Sequence, residues 1–201
     1  NELNLVHSIR TEQAGLSVFS TSVYTFSGAM VRNNLDISVN GEHAETNLNG
    51  LHLTQGSEHV DNHTRVDHRV PNCNSNEVYR GVLGGKSTGV FNGKVYVHQD
   101  AQITNAYQSN RNILISDSAV MNSKPELEIY ADDVKCSHGC TIGQMDKEAL
   151  FYLRSRGLST EASINLLLHA FAGEVLEAIT NEQLRTLIEG RIAEKMVTIN
   201  D

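Results

Sequence analysis

Two thiols and an imidazole stand within the stretch KCSHGCTIG, Lys135 to Gly143, as Cys136, His138 and Cys140. Thiolate sulfur and imidazole nitrogen are ligands for soft metals, and thiols also carry redox and sulfur chemistry. The spacing is neither the C-x-x-C-H of haem attachment nor the C-x-x-C of a thioredoxin-like pair. In a strand, positions i, i+2 and i+4 face one way, and at about 3.3 Å per residue the two cysteines lie roughly 13 Å apart. A disulfide needs Cα atoms within about 7 Å, and one ion needs each sulfur at about 2.3 Å. Unless the chain bends at Gly139, the three donors form a row that no single ion can share. Two readings follow: a half-site that a second surface completes, or an inward-facing cysteine beside a hydrogen-bonded histidine.

Residues 59–73, HVDNHTRVDHRVPNC, hold His59, His63, His68, Asp61, Asp67 and Cys73. That density suits a metal centre, yet His59 and His63 share a face at close range only on a helix, and no helical stripe runs here. Ligands converging from different strands would be needed. In GVLGGKSTG, Gly85-Lys86-Ser87 matches the end of a phosphate loop, but Arg80 occupies the position of the opening glycine. The segment that follows reads as a strand, whereas a phosphate loop must open a helix; a turn between strands is expected, with no nucleotide bound by this chain. Asp132 and Asp133 would point to opposite faces of a continuing strand and could not address one oxygen.

The elements that position these residues fall into two regions. From residue 1 to 143 apolar residues recur with period two in short runs such as LNLVHSI, LDISVN, KVYVHQ and NILIS, separated by Asn, Gly, Ser and Asp. Period two predicts strands, and centres every 12–18 residues or so suit a coiled solenoid or a sandwich. Asn-rich turns and scarce Pro favour a parallel β-helix. From 144 to 201 the period changes. Asp146 is the expected cap of a first helix and Gly157 its stop. Ile164, Leu167, Leu168, Phe171, Val175 and Ile179 form a helical stripe. Thr180 and Gln183 suggest a capping box for a third helix carrying Leu184, Leu187, Ile188 and Ile192.

The bulk composition excludes several functions. Of 201 residues, 16 are basic and 24 acidic, for a net charge of −8 with no basic block, which argues against nucleic acid. No apolar run approaches the roughly 20 residues of a membrane span. Three cysteines are no disulfide framework, so a reducing, cytoplasmic setting is expected. The chain begins at Asn1 rather than Met, so it is expected to be part of a longer protein.

The segment from Lys124 to Val175, KPELEIYADDVKCSHGCTIGQMDKEALFYLRSRGLSTEASINLLLHAFAGEV, closely resembles the C-terminal signature of the SufB/SufD family of iron–sulfur cluster assembly scaffolds. VFNGKVYVHQDAQITNAYQSNRNILISDSA and HTRVDHRVPNCNSNEVYRGVL resemble the family's pattern upstream. RNILISDSA lacks the cysteine of SufB-type chains and Gly139 replaces their glutamate, so the SufD type is the better match. The resemblance implies a mainly β fold, a right-handed parallel β-helix over 1–143 followed by a small α-helical domain over 144–201. It implies a non-catalytic subunit that pairs with a SufB-type paralogue and docks a SufC-type ABC ATPase through the C-terminal helices, around Phe171, Glu174 and Val175. His138 would face the partner at a transient iron–sulfur cluster shared with SufB, with Cys136 as an interface neighbour. Cys140, where SufD-type chains carry a small residue, has no assigned role. Without SufB, the chain could form a homodimer. Two alternatives remain on the residues alone: an autonomous metal-binding β-protein using residues 59–73, and a carbohydrate-active β-helix enzyme.

Overall fold

A computed structural model describes residues 2–199. Alternation builds the strands: in Met30–Val39 every second side chain is buried, and Thr88–Val97 repeats the pattern. The strands are β1 Asn4–Gln13, β2 Val18–Thr25, β3 Met30–Val39, β4 Glu45–Thr54, β5 His59–His68, β6 Asn74–Leu83, β7 Thr88–Val97, β8 Thr104–Leu114, β9 Val120–Ile129 and β10 Val134–Gly143. Odd strands stack as β1-β3-β5-β7-β9 and even strands as β10-β8-β6-β4-β2. Each pairing is parallel and in register. The result is a two-sheet parallel β-solenoid of about five coils, each about 30 residues long. A sandwich would pair its strands antiparallel.

The corners repeat as the strands do. Leu16, His43, Asn72 and Ile103 take left-handed backbone at one corner of four successive coils, with φ near 60°. Backbone bonds stack these corners, as where Leu16 N–H donates to Glu42 O at 2.9 Å and Asn72 N–H to Gln102 O at 2.9 Å. At another corner Gly56 and Gly85 adopt φ of 58° and 62°. The GGKSTG segment is therefore a turn between β6 and β7, and a strand follows it.

Apolar side chains fill much of the lumen, among them Leu35, Ile37, Leu48, Val66, Tyr79 and Phe91. A second core lies outside the even-numbered sheet, where three helices cover Leu51, Leu53 and Val82. Helix α1, Lys147–Ser155, begins where Asp146 Oδ1 accepts from the Glu148 and Ala149 amides, and Gly157 follows it at φ 95°. Helix α2, Thr160–Gly173, is capped by Ser159 and runs into a 3₁₀ turn, Glu174–Leu176. Helix α3, Glu182–Ile199, is capped by Asn181, whose Oδ1 accepts from Leu184 N at 3.0 Å. The cap is thus one residue later than the expected Thr180. Its buried seam is Ile192, Met196 and Ile199, with Ile188 packed beside them, whereas Leu184 and Leu187 are exposed. Ion pairs lock the helices to the solenoid, among them Lys195 to Glu58 at 3.0 Å and Arg80 to Glu174 at 2.7 Å. No described helix is long and apolar enough to cross a membrane.

Candidate functional site on the last coil

Strands β9 and β10 end their sheets, and no described strand pairs with their outer edges. Strand β10 runs unbroken through Gly139, paired with β8 from Val134↔Thr104 to Gly143↔Ile113. The bend that could have brought Cys140 back to Cys136 does not occur, and all three cysteines are free. Register sets the direction of the side chains. Cys136, His138 and Cys140 stand over Ala106, Gln108 and Asn110, which are buried inward positions of β8. In earlier coils such positions are covered by the next coil. Here Cys136 is half-buried, while His138 and Cys140 are exposed.

The row is chemically graded. Cys136 packs against the cluster of Val95, Val97, Ala101, Ala106 and Ala131, and burial pushes its thiol pKa up. It is held as a neutral thiol, a weak nucleophile. Cys140 lies at the open end, its Sγ 3.9 Å from Asn110 Oδ1. Cys73 is elsewhere, buried at a corner, with its thiol directed to the carbonyls of Gly41 and Pro71.

Beneath the row the lumen is polar. Gln108 Nε2 donates to Glu77 Oε2 at 2.6 Å. Glu77 is 2 % exposed, and burial pushes its pKa up to about 7, against the pull of the Thr64 hydroxyl and the Gln108 amide. Asn110 Oδ1 accepts from Asn112 Nδ2 and Ser123 Oγ. Deeper, burial alone lowers the pKa of His52 to about 4.

The other candidate residues are placed differently. His63 Nε2 lies 2.8 Å from Asp61 Oδ1 on the outer face of β5, where Arg32 also reaches the same carboxylate. Asp67 takes Arg69 and His98, both at 2.8 Å. His68 faces inward to Ser75 Oγ at 2.9 Å. The histidines of residues 59–73 are thus divided between two faces. Among the described residues no group of three His, Cys, Asp or Glu could hold a metal ion. Asp132 and Asp133 lie in the turn between β9 and β10, both exposed, rather than in a continuing strand. In the helices, Val175 is buried against the even sheet, Phe171 is half-buried beneath Arg80, and only Glu174 is substantially exposed.

Glu77, Gln108 and Arg80 are the residues the linear reading missed. The available signal was the coil length: Glu77, Gln108 and His138 recur about every 30 residues, which is invisible to a search for strands alone.

Residues 2–171 match the family model described as "SUF system FeS cluster assembly, SufBD core domain". Over 180 residues the chain is 38% identical to the iron-sulfur cluster assembly protein SufD of Escherichia coli, covering 90% of this chain and 42% of that protein. It is 43% identical over 148 residues to an iron-sulfur cluster assembly SufBD family protein of Synechocystis, covering 74% and 33%. Protein ABCI7, chloroplastic, of Arabidopsis thaliana is 34% identical over 159 residues, covering 79% and 34%. The chain therefore spans less than half the length of each of these relatives. The chain, a parallel solenoid with a Cys-His-Cys row on its last coil, matched along most of its length by these sequences, belongs to the SufB/SufD family of iron–sulfur cluster assembly proteins.

Proposed function

We propose that the chain is a SufD-like, non-catalytic scaffold subunit, and that a SufB-type paralogue completes its last coil. The observation that carries this reading is the exposure of His138 and Cys140 at positions whose counterparts in earlier coils are covered. Strands β9 and β10 present unpaired edges, which accept an added strand. Ile129, Tyr130 and Ile142 add exposed apolar surface there. The iron–sulfur cluster, or its sulfur and iron precursors, is then the shared cargo of the seam. His138 offers it a nitrogen lone pair, with Cys136 held half-buried as a neighbour. A homodimer at the same edge is the fallback when the paralogue is absent.

The division of labour follows a boundary at Gly143, with the solenoid over 1–143 and a helical unit over 144–201. The helical unit docks a SufC-type ABC ATPase. Phe151 and Tyr152 on α1 are exposed at 74% and 56%, too large an apolar surface to leave unpartnered at low cost. Glu174 joins that unit to β6 through Arg80, so force on the helices reaches the solenoid wall one strand away from β8. Three free cysteines suit a reducing cytoplasm.

Affinity capture of the tagged full-length protein from anaerobic native cytosol, with native mass spectrometry, tests the assembly. A β-helix paralogue and ABC-type ATPase subunits should be recovered together; a lone chain with a stoichiometric metal would overturn the scaffold reading. His138→Ala should fold normally and fail to restore cluster assembly in cells lacking the native subunit. Full rescue would remove His138 from the seam.

A further inference from the structure

The imidazole on the last coil stands at the top of a polar column. His138 lies over Gln108 in register, and Gln108 lies over Glu77. Gln108 is 3 % exposed. Its amide reaches across the lumen to Gly93 of β7, where a Cβ would come within 2.4 Å of Nε2, so that glycine makes the space the amide occupies. The bond from Nε2 to Glu77 Oε2 at 2.6 Å decides which end of the amide turns toward the acid. The other end, Gln108 Oε1, is a buried acceptor with no partner among the described residues. A buried acceptor left unpaired is costly, and its register neighbour above is an imidazole, which can donate an N–H. Below Glu77 stands Leu48, so the polar column stops there and works as an anchor rather than as a conduit.

On the reading that His138 serves the cluster seam, we propose that Gln108, oriented by Glu77, is a positioning residue for His138. Gln108 Oε1, unbonded among the described residues, would accept the N–H of one imidazole nitrogen once the ring turns inward, and would thereby fix the tautomer. The lone pair of the other nitrogen is left pointing out of the coil, toward whatever the partner presents. Histidines that work at reactive centres are commonly oriented in this way, by a bond to the second nitrogen. An amide suits the task because it accepts without placing a full negative charge under the ring.

The test is the nitrogen NMR spectrum of the intact protein labelled at its nine histidines, with the His138 signals identified by their loss in His138→Gln. The wild type should show one neutral tautomer at His138. Gln108→Leu should convert it to the mixture of a free imidazole and lower cluster-assembly complementation several-fold, with unchanged cooperativity of thermal unfolding. Exchanging the pair, Glu77→Gln with Gln108→Glu, returns an acceptor to the same place and should restore the single tautomer. A free-imidazole mixture in the wild type overturns the proposal without any variant having to fold. So does a Gln108→Leu protein that keeps the wild-type tautomer. Either result leaves the functional role of His138 standing if His138→Ala still abolishes assembly. Full complementation by His138→Ala would instead remove that role, whatever the tautomer.

Discussion

Glu77→Gln should change how stability depends on pH, with a sign and size set by the lumen. In the unfolded chain this carboxyl ionises near 4.5, and in the solenoid near 7. Between those values the unfolded chain has released a proton that the folded chain keeps. The contribution of Glu77 is therefore fully present below about pH 4.5 and is lost as pH rises through 7. At about 1.4 kcal/mol per pH unit, the loss amounts to about 3 kcal/mol. His52 and His68 act oppositely over nearly the same range. Burial lowers both from 6.5 to about 4, so their contribution is present above 6.5 and lost as pH falls through 4. The wild-type profile alone mixes one fall with two rises, whereas the difference between wild type and Glu77→Gln cancels the histidines. Urea unfolding from pH 4.5 to 8 is the assay, followed by circular dichroism and by tyrosine fluorescence, since the chain has no Trp. Coincidence of the two probes checks cooperativity, which long repeat arrays can lose. The variant should gain about 3 kcal/mol on the wild type across that range, or roughly 6–12 °C in Tm. A difference that stays flat with pH would refute the account of Glu77 as a carboxyl kept protonated by burial.

Gly50→Ala should destabilise the solenoid by about 1–3 kcal/mol in the same unfolding assay, because overpacking a filled core is costly. The added Cβ would meet the buried Tyr79 ring at 2.1 Å, and that ring already packs on Phe91 at a 5.1 Å centroid distance. Glu174→Gln should cost about 1–2 kcal/mol, a value reduced for the solvent at Glu174, since Arg80 is left with Tyr79 O and Ser109 Oγ as its remaining bonds. Hydrogen exchange should show α2 loosening before the strands; uniform loosening would mean that the pair does not hold the seam. Phe151→Asp should weaken ATPase binding at least tenfold by calorimetry without changing Tm, and unchanged affinity would move the docking surface off α1.

Strands, helices and the change of period near Gly143 are legible because each rests on local alternation: KVYVHQ can bury one face only as a strand, and Asp146 caps whatever helix follows it. The direction of strand pairing is not local. Asn-rich turns favour a solenoid, but the parallel ladder appears only when residues about 30 apart are set side by side. The third helix shows the limit of stripe reading. Leu184 and Leu187 have the spacing of a buried face, yet the seam runs through Ile192, Met196 and Ile199, since the sheet beneath decides which stripe is covered.

The site divides along the same line. That Cys136, His138 and Cys140 share one face follows from three residues and the strand period. That the face is the inward one, and that it is uncovered, depends on β8 beneath and on the absence of a described strand above. The solenoid makes these facts inseparable. An inward row in a middle coil is packed on both sides, as Glu77 and Gln108 are. The same row on a terminal coil keeps its support from below and loses its cover, which leaves side chains backed by one coil and exposed on the other side. An uncovered inward row is therefore what the end of such a solenoid presents. The residues beneath it that strand periodicity could not reveal, Gln108 and Glu77, are supplied by the preceding coils.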